Sequence, residues 1–397
     1  MPLPLYLLAL AVFAMGTSEF MLAGLLPDIA SDLDVTVGTA GALTSAFAVG
    51  MLVGAPLVAA LARRWPRRAA LLGFVLVFAA AHAVGAVSPG FPVLFATRVV
   101  AALANAGFLA VALTAAAALV PSDRRGRALA VLLSGTTVAT VAGVPGGSVL
   151  GAVLGWRAVF WAVAALCLPA ALGILRGIPA GRDGDGAAGG PVLRAELAEL
   201  ARPRLVLVML LGALVNAATF ASLTFLAPVV TGGAGLGELW VSVALVLFGA
   251  GSFVGATVAG RLSDRRPGAV VAVGGPLLVV GWPALAVTAD EPVALFVLVF
   301  AQGALSFALG GTLITRVLYE AAGAPTMAGS YATAALNAGA AAGPVIAAAA
   351  LGTDAGRLGP LWASGLLVAV ALLIAFPLLP ALTAGRTTGS TADDHSR

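Results

Sequence analysis

Residues 3–26 read Leu3-Pro-Leu-Tyr-Leu-Leu-Ala-Leu-Ala-Val-Phe-Ala-Met-Gly-Thr-Ser-Glu19-Phe-Met-Leu-Ala-Gly-Leu-Leu26. As a helix this run is long enough to cross the ~30 Å hydrocarbon core of a bilayer. It holds a single side chain expected to be charged at neutral pH, Glu19, flanked by Thr17, Ser18 and Phe20. A charge in hydrocarbon costs several kcal/mol, so an acid kept there points to a use.

The rest of the chain decides whether the segment spans a membrane. Of 397 residues, 61% are hydrophobic and 10% charged, against about 25% charged in soluble domains. Long apolar runs recur from end to end. In lipid every backbone amide needs an internal partner, which leaves helices or a closed barrel. The runs are apolar on all sides and lack period-2 alternation, which excludes the barrel. Twelve spans are predicted, at 4–26, 37–62, 69–88, 91–120, 127–152, 156–176, 204–230, 239–261, 269–289, 292–318, 327–351 and 358–383. The first has no basic leader and is followed by further spans, so it is not a cleaved signal peptide.

Charge placement supports the count. All 21 basic residues are Arg. In the twelve-span arrangement eighteen lie on one side: Arg63, Arg64, Arg67, Arg68, Arg124, Arg125, Arg127, Arg176, Arg182, Arg194, Arg202, Arg204, Arg261, Arg265, Arg266, Arg316, Arg386 and Arg397. Arg157 and Arg357 lie on the other side, and Arg98 falls within a span. The positive-inside rule then puts both termini in the cytoplasm. The net charge of +4 belongs to this topology and not to nucleic-acid binding. Cys167 has no partner for an intrachain disulfide, and His82 and His395 are far apart, so no metal-ligand spacing arises. There is no nucleophile elbow and no Walker loop, which argues against an enzyme and against ATP as the energy source.

The expected organisation is an all-α membrane protein of two pseudo-symmetric six-helix bundles. They are residues 1–176 and 204–383, joined by a cytoplasmic linker at 177–203 and followed by a disordered cytoplasmic tail at 384–397. The halves echo each other. Ala59-Ala-Leu61-Ala-Arg63-Arg64-Trp-Pro66-Arg67-Arg68 follows span two, and Gly260-Arg-Leu262-Ser-Asp264-Arg265-Arg266-Pro follows span eight. Parallel six-span repeats around a central site are a secondary-transporter architecture. The competing account is that any short cytoplasmic loop attracts Arg.

These loops resemble the Gly-x-Leu-x-Asp-Arg-x-Gly-Arg-[Lys/Arg] motif of the major facilitator superfamily, in its twelve-span drug:proton antiporter branch. The second copy keeps Gly260, Leu262, Asp264 and Arg265; the first keeps Leu61, Arg64, Arg67 and Arg68 but has Arg63 in place of the motif's Asp. Arg98 in Arg98-Val-Val-Ala-Ala-Leu-Ala-Asn105 matches the family's fourth-span Arg. Gly135 followed by Gly143-Val-Pro145-Gly146-Gly147 is similar to the exporter motif of span five. The stretches from Gly16 to Ala30, Gly155 to Trp161 and Arg63 to Arg68 are most like the chloramphenicol-exporter group of actinobacteria. The resemblance implies proton-coupled efflux of a small neutral antibiotic, chloramphenicol or another phenicol, by a monomer in the bacterial plasma membrane without a cofactor. Export of a sugar or of broad lipophilic drugs, and an uncoupled facilitator or sensor, are the alternatives.

Glu19 is then the expected proton-coupling and drug-facing acid, against the plainer role of an interhelical hydrogen-bonding group. Arg98 cannot lose its proton at physiological pH. It is expected either to hold Glu19 ionised and meet a polar drug group, or to serve as a structural Arg. Asn105, Asn216, Gln302, Tyr331 and Asn337 are candidates for lining the cavity, each also explicable as glue between helices. Arg64, Arg67, Gly143, Pro145, Gly146, Gly147, Gly260, Asp264 and Arg265 are the expected gating positions, by the resemblance.

Overall fold

The computed structural model describes residues 2–376 except 63–64, 122–123, 179–197, 233–234, 263–266 and 325–326. The described residues form helices and no strand. Twelve of the helices are long and apolar enough to cross a membrane. α1 is Leu3–Phe20, α2 Val37–Ala62, α3 Arg67–Ala86 and α4 Phe91–Ala118. α5 runs Arg125–Val138, widens into a π turn at Ala139–Gly143 and resumes as Val144–Leu154. α6 is Trp156–Gly177, α7 Pro203–Thr224 and α8 Leu239–Leu262. α9 begins at Pro267–Ala269, passes a π turn at Val270–Gly274 and continues as Gly275–Val287. α10 is Pro292–Glu320, α11 Ala328–Leu351 and α12 Gly359–Ala375.

Local chemistry sets many of the boundaries. Prolines open α1, α4, α7, α10 and α12, where a missing N–H removes no helical bond. Gly155 separates α5 from α6 with φ of 82°, a conformation that disfavours any side chain. Spans five and nine are interrupted. Each π turn ends two residues before a proline, Pro145 or Pro276. A proline cannot donate to the preceding turn, and at α5 the Val144 N–H reaches back to Ala139 O instead.

The first helix of each half ends in the same way. After α1 comes a 3-10 turn, Met21–Gly24, and a short helix, Leu26–Asp32. After α7 comes the short helix Leu226–Gly232. The two short helices begin 200 residues apart in the chain, close to the spacing of the Arg-rich loops.

Buried apolar side chains form two main cores. One draws on residues 5–178 with Ala221, Phe225 and Ala347 inserted from beyond them; the other draws on residues 205–375 with Ala23 and Val144 inserted. Outward-facing residues such as Leu76, Leu172, Val280 and Leu373 are at least half exposed, an apolar belt suited to lipid. Within the second core α8 and α10 touch through their backbones. A Cβ at Gly251 or Gly255 would strike the carbonyl of Phe300 or Ala304, and one at Gly303 would strike that of Phe248. Small residues allow this approach where lipid offers no hydrophobic drive to association. The expected linker and tail lie largely outside the described residues.

Candidate functional site

Glu19 sits at the last turn of α1, just before the helix tightens into the 3-10 turn. Successive residues of a helix are turned by about 100°, so Ser18 and Glu19 face different neighbours. Ser18 is fully buried, whereas Glu19 is half-buried. Phe20 meets Phe220 of α7 with ring centroids 5.5 Å apart, placing this end of α1 at the seam between the two cores.

Arg98 is 1% exposed, on the stripe of α4 that also buries Leu94, Ala101, Ala102 and Asn105. Its Nη1 donates to Ser18 Oγ and its Nη2 to the Ser18 carbonyl, both at 2.8 Å. The guanidinium carbon lies 4.4 Å from the centre of the Phe47 ring, a contact worth about 2 kcal/mol when desolvated. Nε has no partner. No ion pair joins Arg98 to Glu19 among the described residues. In this state Arg98 is hydrogen-bonded to Ser18 and not joined to Glu19. A serine one residue back offers two acceptors on the face that α1 turns toward α4.

Ser18 Oγ also lies 2.7 Å from His82 Nε2, and His82 Nδ1 lies 2.8 Å from Phe78 O. A carbonyl only accepts, so Nδ1 carries a proton and donates to it. His82 sits between the tilted rings of Phe78 and Phe160, at centroid distances of 4.3 and 5.6 Å. Neither Ser18 nor His82 was given a role from the sequence. The available signal was that His82 is an ionisable residue inside a span, a feature that marked Glu19 but in the histidine's case was weighed only for metal spacing.

The other candidates separate by location. Asn216 Nδ2 donates to Leu336 O at 2.7 Å across α7 and α11, and Asn337 Nδ2 donates to Thr333 O in its own helix at 2.9 Å. Tyr331 is buried in the second core. Gln302 is buried between α9 and α10 and donates to Leu278 O at 3.3 Å; it is committed to packing within one half. At the seam, Phe20, Thr140, Val144, Leu223, Leu245 and Phe248 enclose a cleft of about 10 Å³, barely the space of one water.

The Major Facilitator Superfamily profile matches residues 8–335. The chain belongs to the major facilitator superfamily. Its membership rests also on a Streptomyces lividans relative named "Chloramphenicol resistance protein", 78% identical and covering 98% of this chain and 100% of its own. The "Inner membrane transport protein YdhP" of Escherichia coli is 33% identical over 88% of this chain and 90% of its own. Among solved structures, a bacterial homologue of the human lysosomal transporter Spinster, inward-facing and unoccupied, superposes with a TM-score of 0.75 at 19% identity. That likeness covers 96% of both chains and speaks to the fold. The protein is a multi-pass membrane transporter of a small molecule, and not an enzyme.

In this facilitator the halves meet from mid-span to the Arg-poor face. Ala48, Phe220 and Ala340 pack together at mid-span. A Cβ on Gly38 would lie 3.5 Å from Ala348. Ser242 Oγ donates to Ser148 Oγ at 2.9 Å, joining α8 to α5. Beside this bond is a cavity of about 240 Å³ whose lining includes Asp28 from the first half and Glu238 from the second. Burial, and then the charge of Glu238, raise the Asp28 carboxyl above its ordinary range.

The gating positions are partly resolved. Gly143, in the π turn, lies so close to α1 that a Cβ would collide with Thr17 and Phe13. Pro145 and Gly147 are buried, whereas Gly146 faces open space. Gly260 belongs to α8 and Arg67 opens α3. Arg64, Asp264 and Arg265 lie outside the described residues.

Proposed function

We propose that this chain exports chloramphenicol or a related phenicol in exchange for protons, by alternating access. The relative at 78% identity over nearly the whole chain, named for chloramphenicol resistance, carries the substrate reading. Glu19, half-buried at the seam one residue from the Arg98 anchor, carries the coupling. A phenicol offers an aryl ring and hydroxyl groups. The ring suits the phenylalanines of the seam, Phe20, Phe220, Phe248 and Phe307, and the hydroxyls suit a carboxylate. If drug and proton compete for the charge state of Glu19, each expels the other by linkage. Closure at the Arg-poor face corresponds to a state open toward the Arg-rich side. By the positive-inside rule that side is the cytoplasm of a bacterial cell, where both termini lie. The transporter works as a monomer with no cofactor, driven by the proton gradient. The test uses everted vesicles with a preset proton gradient: adding a phenicol should collapse the gradient. No proton movement with any phenicol refutes the reading.

A further inference from the structure

Arg98 is a permanent cation with no carboxylate within ion-pair distance among the described residues in this state, and a competing acceptor, Glu19, lies next to its anchor Ser18 in the chain. Four hydrogen bonds determine which acceptor it takes. The Phe78 carbonyl fixes the proton on His82 Nδ1. That leaves His82 Nε2 as an acceptor, and the one proton of the Ser18 hydroxyl points to it. The Ser18 oxygen then turns a lone pair to Arg98 Nη1, while the Ser18 carbonyl takes Nη2. Donors run one way, Arg98 to Ser18 to His82 to Phe78, and every link is buried. Tilted contacts with Phe78 and Phe160 hold the imidazole, and Phe160 is braced edge-on by Trp156 at 5.4 Å.

We propose that Ser18 and His82 are positioning residues that park Arg98 away from Glu19 in the state closed at the Arg-poor face, keeping Glu19 free for the proton or the drug. The inference rests on the coupling role given to Glu19 above. Without His82, the Ser18 hydroxyl falls back on a carbonyl of its own helix, as serines in helices do. Arg98 then loses its preset acceptor and moves to the neighbouring carboxylate, where charge-assisted hydrogen bonds are stronger. Other titratable groups on the helices around His82 are few. α1 brings Glu19 and, near its start, Tyr6; α4 brings Arg98, and α6 brings Cys167, Arg176 at its far end and Arg157, which is paired with Asp32. α2 brings none, and on α3 itself Arg67 and Arg68 stand at the opposite end.

Two measurements test this. The first is imidazole ¹⁵N NMR of the intact transporter, with His395→Ala leaving His82 as the only histidine. The expected species is the Nδ1–H tautomer with an unprotonated Nε2; an Nε2–H tautomer overturns the relay. The second is proton release from purified transporter on adding chloramphenicol, per folded molecule. His82→Ala should lose the release shown by the wild type. His82→Gln should regain it, because its amide can both accept from Ser18 and donate to Phe78 O. Wild-type release in His82→Ala overturns the proposal. A wild type that binds the drug and releases no proton sinks the coupling reading instead, and the tautomer still decides the relay without any variant at position 82.

Discussion

Replacing Gly249 by Ala should open the seam at the Arg-poor face without unfolding either half. Gly249 lies on α8, and a Cβ there would sit 2.7 Å from Thr140 O and 3.3 Å from Val141 Cα. Both are backbone atoms of the π turn in α5, on the opposite side of the seam. A carbon and a carbonyl oxygen normally stand ~3.3–3.6 Å apart, so one helix must retreat. No side-chain rotation relieves a contact with backbone. Overpacking of this kind costs about 1–3 kcal/mol. The cost exists only while the seam is shut, so it enters in full into the equilibrium between closed and parted states. That corresponds to roughly a 5- to 150-fold shift in population. Spin labels at Val153→Cys and Leu239→Cys, positions 68% and 59% exposed on the two sides of the seam, would read the distance directly. The long-distance fraction should grow in Gly249→Ala. Gly146→Ala is the control, since nothing lies within 4 Å of a Cβ there. An unchanged distance distribution in folded Gly249→Ala protein would refute the reasoning.

Glu19→Gln should abolish proton-coupled efflux while the protein still inserts and folds, because the amide keeps the shape of the acid but cannot carry the proton; wild-type resistance in a pump-deficient host would remove Glu19 from the coupling. Asp28 gives a pH dependence. Its carboxyl is raised by burial in the cavity it shares with Glu238, so the closed state holds a proton that the parted state gives up. Its contribution to closure is complete below the ordinary carboxyl value of about 4 and is lost as pH rises through the raised value. The same spin-label pair should show the closed fraction falling over that range, and Asp28→Asn should flatten the curve; an unaltered slope would exonerate Asp28. Ser364 Oγ shares its one proton between Ala218 O at 2.7 Å and Pro360 O at 2.9 Å and accepts from Ser222 Oγ at 2.7 Å. Ser364→Ala should lower thermal stability by about 0.6–2 kcal/mol, and a Tm equal to wild type would show that the α7–α12 seam does not depend on it.

The twelve spans were legible because lipid imposes a length and excludes unpaired backbone, so residues 3–26 could be read almost without context. Glu19 was legible for the same reason. Its surroundings were not. Whether Arg98 meets Glu19 or Ser18 depends on how α1 is rotated against α4, and a helix rotated by one residue exchanges those partners. Ser18 carries no signature of its own, since buried serines are common in membrane helices. The π turn of α5 was half visible: Pro145 marked an irregularity, but a proline in a span can produce a kink or a widened turn, and Gly143 packs on Thr17 where the turn widens. Gln302 was equally ambiguous, because an amide between helices and an amide facing a cavity look alike in sequence.

The glycine contacts between α8 and α10 have a mechanical meaning. Two helices whose backbones touch at Gly251, Gly255 and Gly303 have no compressible side-chain layer between them. Neither can press closer to the other without atoms overlapping. The pair therefore behaves as one strut. A push on the α8 face that meets the π turn of α5 passes to α10 and to Phe307 at its inner surface, so small changes at the seam need no separate messenger to reach the second half.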